Sequence, residues 1–182
     1  MKPYKFGLIL GRFQTFHKGH KQIIDTACRL CDKAAVFIGS AQESGTEKNP
    51  FTYEQRKAMI EKTCRRGVAV YPIDDIGVGN NSKWGEYVVK CVKERCGELP
   101  DLFVTGKEER RIDWFDGIEG LDLAELYVPK TIDISASVLR GYMLDGDAAS
   151  WRKYMPKALW GDFDVMRRIV ENSFENKKTD SI

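Results

Sequence analysis

Residues 11 to 20, GRFQTFHKGH, hold both of the chain's histidines together with an arginine and two glycines. Arg12 carries a permanent forked cation, and His17 and His20 can each donate an N–H to an oxyanion. Gly11 and Gly19 let the main chain approach a ligand closely, and a helix opening near Lys18 would add the positive end of its dipole. Each feature favours a phosphate. Taken singly, either histidine reads as an ordinary polar residue of a surface turn; the pair beside Arg12 is what points to function. Two histidines at this spacing also suit zinc, but a zinc site needs further Cys, Asp or Glu ligands and none lies nearby.

A second segment, DISASVLRGYML at residues 133 to 144, offers similar chemistry. Ser135 and Ser137 are placed to cap and open a helix, and Arg140 would project from its first turns beside the positive end. Alone, a serine-capped helix with an early arginine is commonplace. It becomes informative when paired with the first loop.

The elements that must position these residues follow from periodicity. YKFGLIL, residues 4 to 10, reads as a strand, and residues 18 to 32 then place Ile23, Ile24, Ala27, Leu30 and Cys31 at helical spacing. The alternation recurs: AAVFIG as strand, TYEQRKAMIEKT as helix with Thr52 as N-cap and Gln55 three residues on, then GVAVYPI as strand. WGEYVVKCVKERC follows as helix, DLFVTG as strand and AELYVP as a fifth strand. Short apolar strands alternating with amphipathic helices predict an α/β fold, a Rossmann-like doubly wound parallel sheet of about five strands. Ligands bind such sheets at the carboxyl ends of the strands, where the histidine loop falls. After residue 134 only helices are expected, at roughly 136 to 145, 148 to 154 and 161 to 172. The chain carries no internal repeat and no low-complexity segment.

The 182 residues are 42% hydrophobic, enough for one sizeable core. We therefore expect a single domain over residues 1–172, helical from about 135, and a polar tail at 173–182. The formal charge of +2 conceals a clustering of Lys and Arg near particular glycines, and it does not imply nucleic-acid binding. The apolar run after MKPYK stops at Leu10, too short for a signal peptide or a membrane span. A soluble cytoplasmic protein with reduced thiols is the expectation. Cys28 and Cys31 form a C-x-x-C within the helical pattern, with no second pair at zinc spacing, so they read as core thiols, as do Cys64, Cys91 and Cys96.

The two segments, G-R-F-Q-x-F-H-x-G-H and I-S-x-S-x-x-R, resemble the signatures of the H-x-G-H nucleotidylyltransferase superfamily, and within it the archaeal-type nicotinamide mononucleotide adenylyltransferases. IGSAQESGTEKNPFTYEQRKAMI, residues 38 to 60, is similar to that family's second strand, following loop and helix. The resemblance covers about residues 4 to 160. It implies adenylyl transfer from ATP, with Mg2+, to nicotinamide mononucleotide or its acid form. Arg12, His17 and His20 would hold the ATP phosphates, the catalytic set being these three with Arg140. Gly11 and Gly19 would lie against the nucleotide, and Ser40 and Lys48 would flank its phosphates. Ser135, Ser137 and Arg140 would grip the part that leaves as pyrophosphate. Val78, Asn81 and Trp84 fall where the family places its nicotinamide pocket, Trp84 stacking on the ring and Asn81 bonding the carboxamide; without the family, Trp84 reads equally as a core residue of a helix start. Relatives are often oligomeric, so the resemblance also implies a homo-oligomer. Nucleic acid and membrane are not expected partners.

Thr15 stands where the family usually has proline, Gly45 where many relatives have histidine, and Lys48 where some have arginine, and the loop from Asp75 to Trp84 is longer than usual. These departures bear on the second substrate. Two other readings stay open: a transferase of the same superfamily acting on phosphopantetheine, flavin mononucleotide or a polyol phosphate, and a module that senses ATP or NAD without turnover. A dinucleotide-dependent oxidoreductase is disfavoured because G-x-G-x-x-G is absent after the first strand. Lys107, Arg110 and Arg111 follow a strand end and read first as solvated charge, with phosphate contact as the alternative.

Overall fold

The structure, a computed structural model, describes residues 1–64 and 67–179, with side chains as far as Glu175. Five strands, β1 (Tyr4–Gly11), β2 (Cys31–Ile38), β3 (Val68–Pro72), β4 (Leu102–Thr105) and β5 (Ala124–Tyr127), form one parallel sheet in the order β3-β2-β1-β4-β5. The chain winds outward from β1 in one direction and then in the other. β1 and β4 therefore flank the point where the winding reverses, and their carboxyl ends open the crevice that such sheets offer to ligands.

Side-chain alternation divides the sheet into two buried faces. Ile9, Ala34, Val36, Ile38, Leu102 and Val104 point to one core, shared with Ile24 and Ala27 of α1 (Lys18–Leu30) and Met59 and Ile60 of α2 (Tyr53–Thr63). Phe6, Leu8, Ala35, Phe37 and Phe103 point to the other, covered by Val88, Val89 and Val92 of α3 (Ser82–Cys96) and by Trp114 and Phe115 of a 3-10 turn at Ile112–Phe115. Two faces buried on both sides explain why the strands read as unbroken apolar runs. The closing helices α4 (Ala136–Leu144), α5 (Ala148–Tyr154) and α6 (Phe163–Thr179) extend the first core, with Trp151 fully buried against Phe163.

Several boundaries differ from the sequence expectation. Helix α1 ends at Leu30, and Cys31 opens β2 opposite Tyr4. A Cβ on Gly7 would lie 2.7 Å from the Cys31 sulfur, so the thiol fills the space that this glycine leaves. The C-x-x-C is thus split between a helix and a strand. Burial pushes the Cys31 thiol up to about 11 and raises those of Cys64, Cys91 and Cys96, as core thiols require. Helix α6 continues past 172 to Thr179, because Ser173 is buried and Phe174 packs on the core. Residues 180–182 of the expected tail lie outside the described residues. Among the described residues no helix is long and apolar enough to cross a membrane.

Candidate active site

His17 is the N-cap of α1: its Nδ1 accepts the Gly19 N–H at 3.1 Å. An accepting Nδ1 leaves the proton of a neutral ring on Nε2, which fixes the atom His17 can donate from. One turn later His20 stacks on it, with ring centroids 3.8 Å apart. Phe13 packs edge-on against His20 at 4.9 Å. A Cβ on Gly19 would come within 3.0 Å of the His17 ring, and one on Gly11 within 2.9 Å of the Phe13 ring. Both glycines are therefore needed to seat the aromatic groups of the loop as well as to keep its backbone bare.

Burial decides the charge of this pair. His17 is lowered to about 4, first by desolvation and then by the Lys130 ammonium. His20, partly buried, is lowered well below its ordinary value by desolvation, by His17, and by Lys107 and Lys130. Both imidazoles are neutral at pH 7, so what they can offer a ligand is a hydrogen bond rather than a charge. Permanent charge comes instead from Arg12 and Arg140. The Arg140 guanidinium donates to the Gln14 carbonyl, across 126 residues of sequence, and is lowered by burial and by the neighbouring Arg12 cation. The two motif segments therefore meet at the carboxyl end of β1.

The remaining predicted residues are placed less uniformly. Ser40, directly after β2, is buried and adopts φ +47°, its carbonyl turned inward; Lys48 is exposed further along the same loop. Ser135 caps α4 through Val138 N–H, and Ser137 is exposed in its first turn. Asn81 caps α3: its Oδ1 accepts the Trp84 N–H at 3.2 Å and its Nδ2 donates to the Val78 carbonyl at 2.6 Å. Trp84 is half-buried beside Tyr87. This cluster lies beyond β3, at the sheet's edge. It is linked inward by the Gln42 side chain, which bonds both N–H and carbonyl of Asp75, and by the Ala41 N–H on the Ile73 carbonyl.

Gln14 and Arg56 were not among the residues singled out from sequence. Gln14 is buried and clamps the Phe51 backbone through both amide atoms, at 2.8 and 2.9 Å. Arg56 is fully buried and bonds four main-chain carbonyls. A signal did exist for Arg56: it shares a helix face with Met59 and Ile60, three and four residues on, so a cation sits in the apolar stripe of α2. Thr15 is buried with its hydroxyl unpartnered, and Gly45 turns at φ +71° in open space. Of the basic run after β4, Arg110 pairs with Asp113 at the surface and Arg111 lies over the Trp114 ring at 4.9 Å, whereas the Lys107 charge reaches His20.

Comparison with known proteins follows this geometry. Residues 8–139 match the cytidylyltransferase-like family. The chain is 33% identical over 178 residues to a nicotinamide-nucleotide adenylyltransferase of Methanococcus maripaludis, covering 93% of this chain and 98% of that protein. It is 28% identical to one of Methanoculleus marisnigri, with 90% of each covered. Among solved structures it resembles a bifunctional NMN adenylyltransferase/ADP ribose pyrophosphatase from Francisella tularensis complexed with AMP and a manganese ion, with a TM-score of 0.74 and 24% identity over 98% of this chain. The chain spans 54% of that longer protein, and the likeness there is one of fold. With the motif segments, the parallel sheet and the matched residues in agreement, the chain belongs to the cytidylyltransferase-like family of nucleotidyltransferases.

Proposed function

We propose that the chain transfers the adenylyl group of ATP to nicotinamide mononucleotide or its acid form, giving NAD or deamido-NAD and pyrophosphate. The observation that carries this reading is the meeting of Arg140 with the Gln14 carbonyl, which sets two phosphate-facing segments against one another. In this reading Arg12, His17 and His20 hold the ATP phosphates, with the bare backbone at Gly11 and Gly19 beside them. Ser40 and Lys48 flank the triphosphate, and Ser135, Ser137 and Arg140 take the β- and γ-phosphates.

The acceptor's phosphate is ionised near neutral pH, so no general base is needed. One of its oxygens attacks the α-phosphorus in line; the new P–O bond forms as the bond to pyrophosphate breaks, and the leaving group carries away the negative charge. Catalysis then consists of alignment and of donors fixed where charge builds up. Neutral His17 and His20 donate without first having to lose a proton or a counter-ion. Arg140, partly desolvated beside the exposed Arg12 cation, is relieved by an anion placed between the two guanidiniums.

Among the described residues no three His, Cys, Asp or Glu side chains gather into a metal site. The site's donors are cations and neutral imidazoles, a set that fits phosphate oxygens. A magnesium ion would accordingly be held by the triphosphate and water, where it would share the developing charge. Val78, Asn81 and Trp84 form the acceptor pocket, the half-exposed Trp84 ring stacking on the nicotinamide. A cytoplasmic setting suits both substrates.

Pyrophosphate release with magnesium and ATP tests the reading, offering nicotinamide mononucleotide and its acid form alongside phosphopantetheine and flavin mononucleotide. Turnover with a nicotinic acceptor, matched by NAD or deamido-NAD on chromatography, is the expected result. Turnover on another acceptor alone would overturn the pocket assignment, and ATP binding with no turnover on any acceptor would overturn the enzyme reading.

A further inference from the structure

We propose that Arg56 is a positioning residue for nucleotidyl transfer: from beneath the site it holds the main chain around Phe13 and Ser40 in left-handed turns, and so sets where Arg12 and the histidine loop meet the triphosphate. The proposal rests on the transfer reading given above.

Arg56 lies in the second turn of α2 and is 0% exposed. Its Nε donates to the Thr52 carbonyl at 3.1 Å, Nη1 to those of Arg12 at 3.0 Å and Gly39 at 2.8 Å, and Nη2 to that of Ser40 at 3.0 Å. Four of the five N–H groups of the guanidinium are thus spent on backbone oxygens. Three of those oxygens belong to the loops that follow β1 and β2. Among the described residues, Phe13 (φ 53°) and Ser40 (φ 47°) are the only non-glycine residues with positive φ, and the carbonyls that Arg56 takes are those of Arg12, directly before Phe13, and of Gly39 and Ser40.

Left-handed backbone at a residue with a side chain is strained, and such strain persists only where surrounding structure over-determines it. Burying a guanidinium is costly too, and desolvation lowers this one to about 10, which still leaves it charged at neutral pH. Two unfavourable features therefore sit against each other and satisfy each other. The forked, planar cation reaches carbonyls on separate segments at once, which a lysine ammonium at the same place cannot do. The loops it joins carry Arg12, His17 and Ser40, and the first of them leads into His20 in the opening turn of α1.

The test is Arg56→Lys, with folding checked by circular dichroism and kinetics read well below its melting temperature. We expect turnover to fall 10- to 100-fold and the KM for ATP to rise about tenfold, while the KM for the mononucleotide stays within threefold. A double-mutant cycle with Ser40→Gly checks the cause: glycine takes a positive φ without strain, so Arg56→Lys should cost at least threefold less in turnover when added to Ser40→Gly than when added to the wild type. A folded Arg56→Lys with every kinetic constant within threefold of wild type would overturn the proposal. So would strictly additive effects, or failure of both Arg56→Lys and the double variant to fold, since Arg56 would then serve folding alone. ATP affinity measured by calorimetry separates this claim from the reading it rests on. A wild type that binds ATP without turnover sinks the transfer reading, and the positioning claim then stands or falls on whether Arg56→Lys binds ATP about tenfold more weakly.

Discussion

The loops after β1 and β2 and the loop after β3 lie along the same edge of the sheet, yet they are held by different means. The first two are tied from below by buried groups: Gln14 clamps Phe51, Arg56 gathers carbonyls from both loops, and Gly39 N–H bonds the Gly11 carbonyl at 2.9 Å. The third, residues 73 to 81, is mostly exposed, turns through Gly77 and Gly79, and is tied by surface hydrogen bonds from Gln42 and Asn81. Exposed bonds of that kind contribute about 1 kcal/mol each. The difference teaches a division of labour. The groups we assign to the reacting phosphates are fixed by a low-dielectric, over-determined framework, whereas the groups assigned to the acceptor's ring rest on a turn that sequence change can remodel cheaply. Chemistry should therefore be harder to alter here than acceptor choice.

Four experiments break or sharpen that contrast. The largest effect is expected for His20→Ala, which removes the donor we propose at the phosphates: turnover should fall about 10²- to 10³-fold with folding preserved. A nearly active variant would take His20 out of the catalytic set.

Next comes pH. His17 stands at about 4 in the fold against an ordinary 6.5, so as pH falls the unfolded chain takes up the proton first. Stability should be complete above about pH 6.5 and decline between 6.5 and 4, by on the order of 3 kcal/mol from His17, with His20 adding in the same direction. Denaturant titrations across this window check it, and His17→Asn should flatten the slope. An unchanged slope would mean that the histidines are not the groups responsible.

Smaller again, Trp84→Ala should weaken mononucleotide binding by on the order of 1 to 3 kcal/mol while leaving ATP affinity alone. Loss of ATP binding instead would show that the edge loop serves the wrong substrate in our assignment. The smallest effect belongs to Asn81→Ala, which removes the cap of α3 and one group of the proposed acceptor pocket: about 1 kcal/mol of stability, read as a lowered melting temperature, with mononucleotide affinity weakened less than by Trp84→Ala. If it also abolished turnover, the edge loop would be as tightly coupled to chemistry as the phosphate loops, and the contrast would fail.

Much of this was legible in the chain before its folding. Short apolar runs and helical apolar spacing located the five strands and the helices between them, Thr52 and Gln55 marked a helix start that proved to be a complete capping box, and the two motif segments marked loops that the fold brings together. Boundaries failed where a tertiary contact overrode pattern. Cys31 fits the helical spacing of α1 but opens β2 because its thiol packs into the space beside Gly7, and Phe174 belongs to the core although polar residues surround it in sequence.

What the sequence by itself determined is local: which residues alternate, which cap, and which side chains can meet an anion, since these depend on neighbours within a few positions. What only the tertiary structure decided is environment. His17 and His20 are neutral because folding buries them beside Lys130 and Lys107, residues distant in sequence, and removes the water that would have stabilised their charge. Arg56, one cation among many along the chain, became the group that joins two loops because α2 packs its inner face beneath the carboxyl ends of β1 and β2, where carbonyls and not solvent receive its hydrogen bonds.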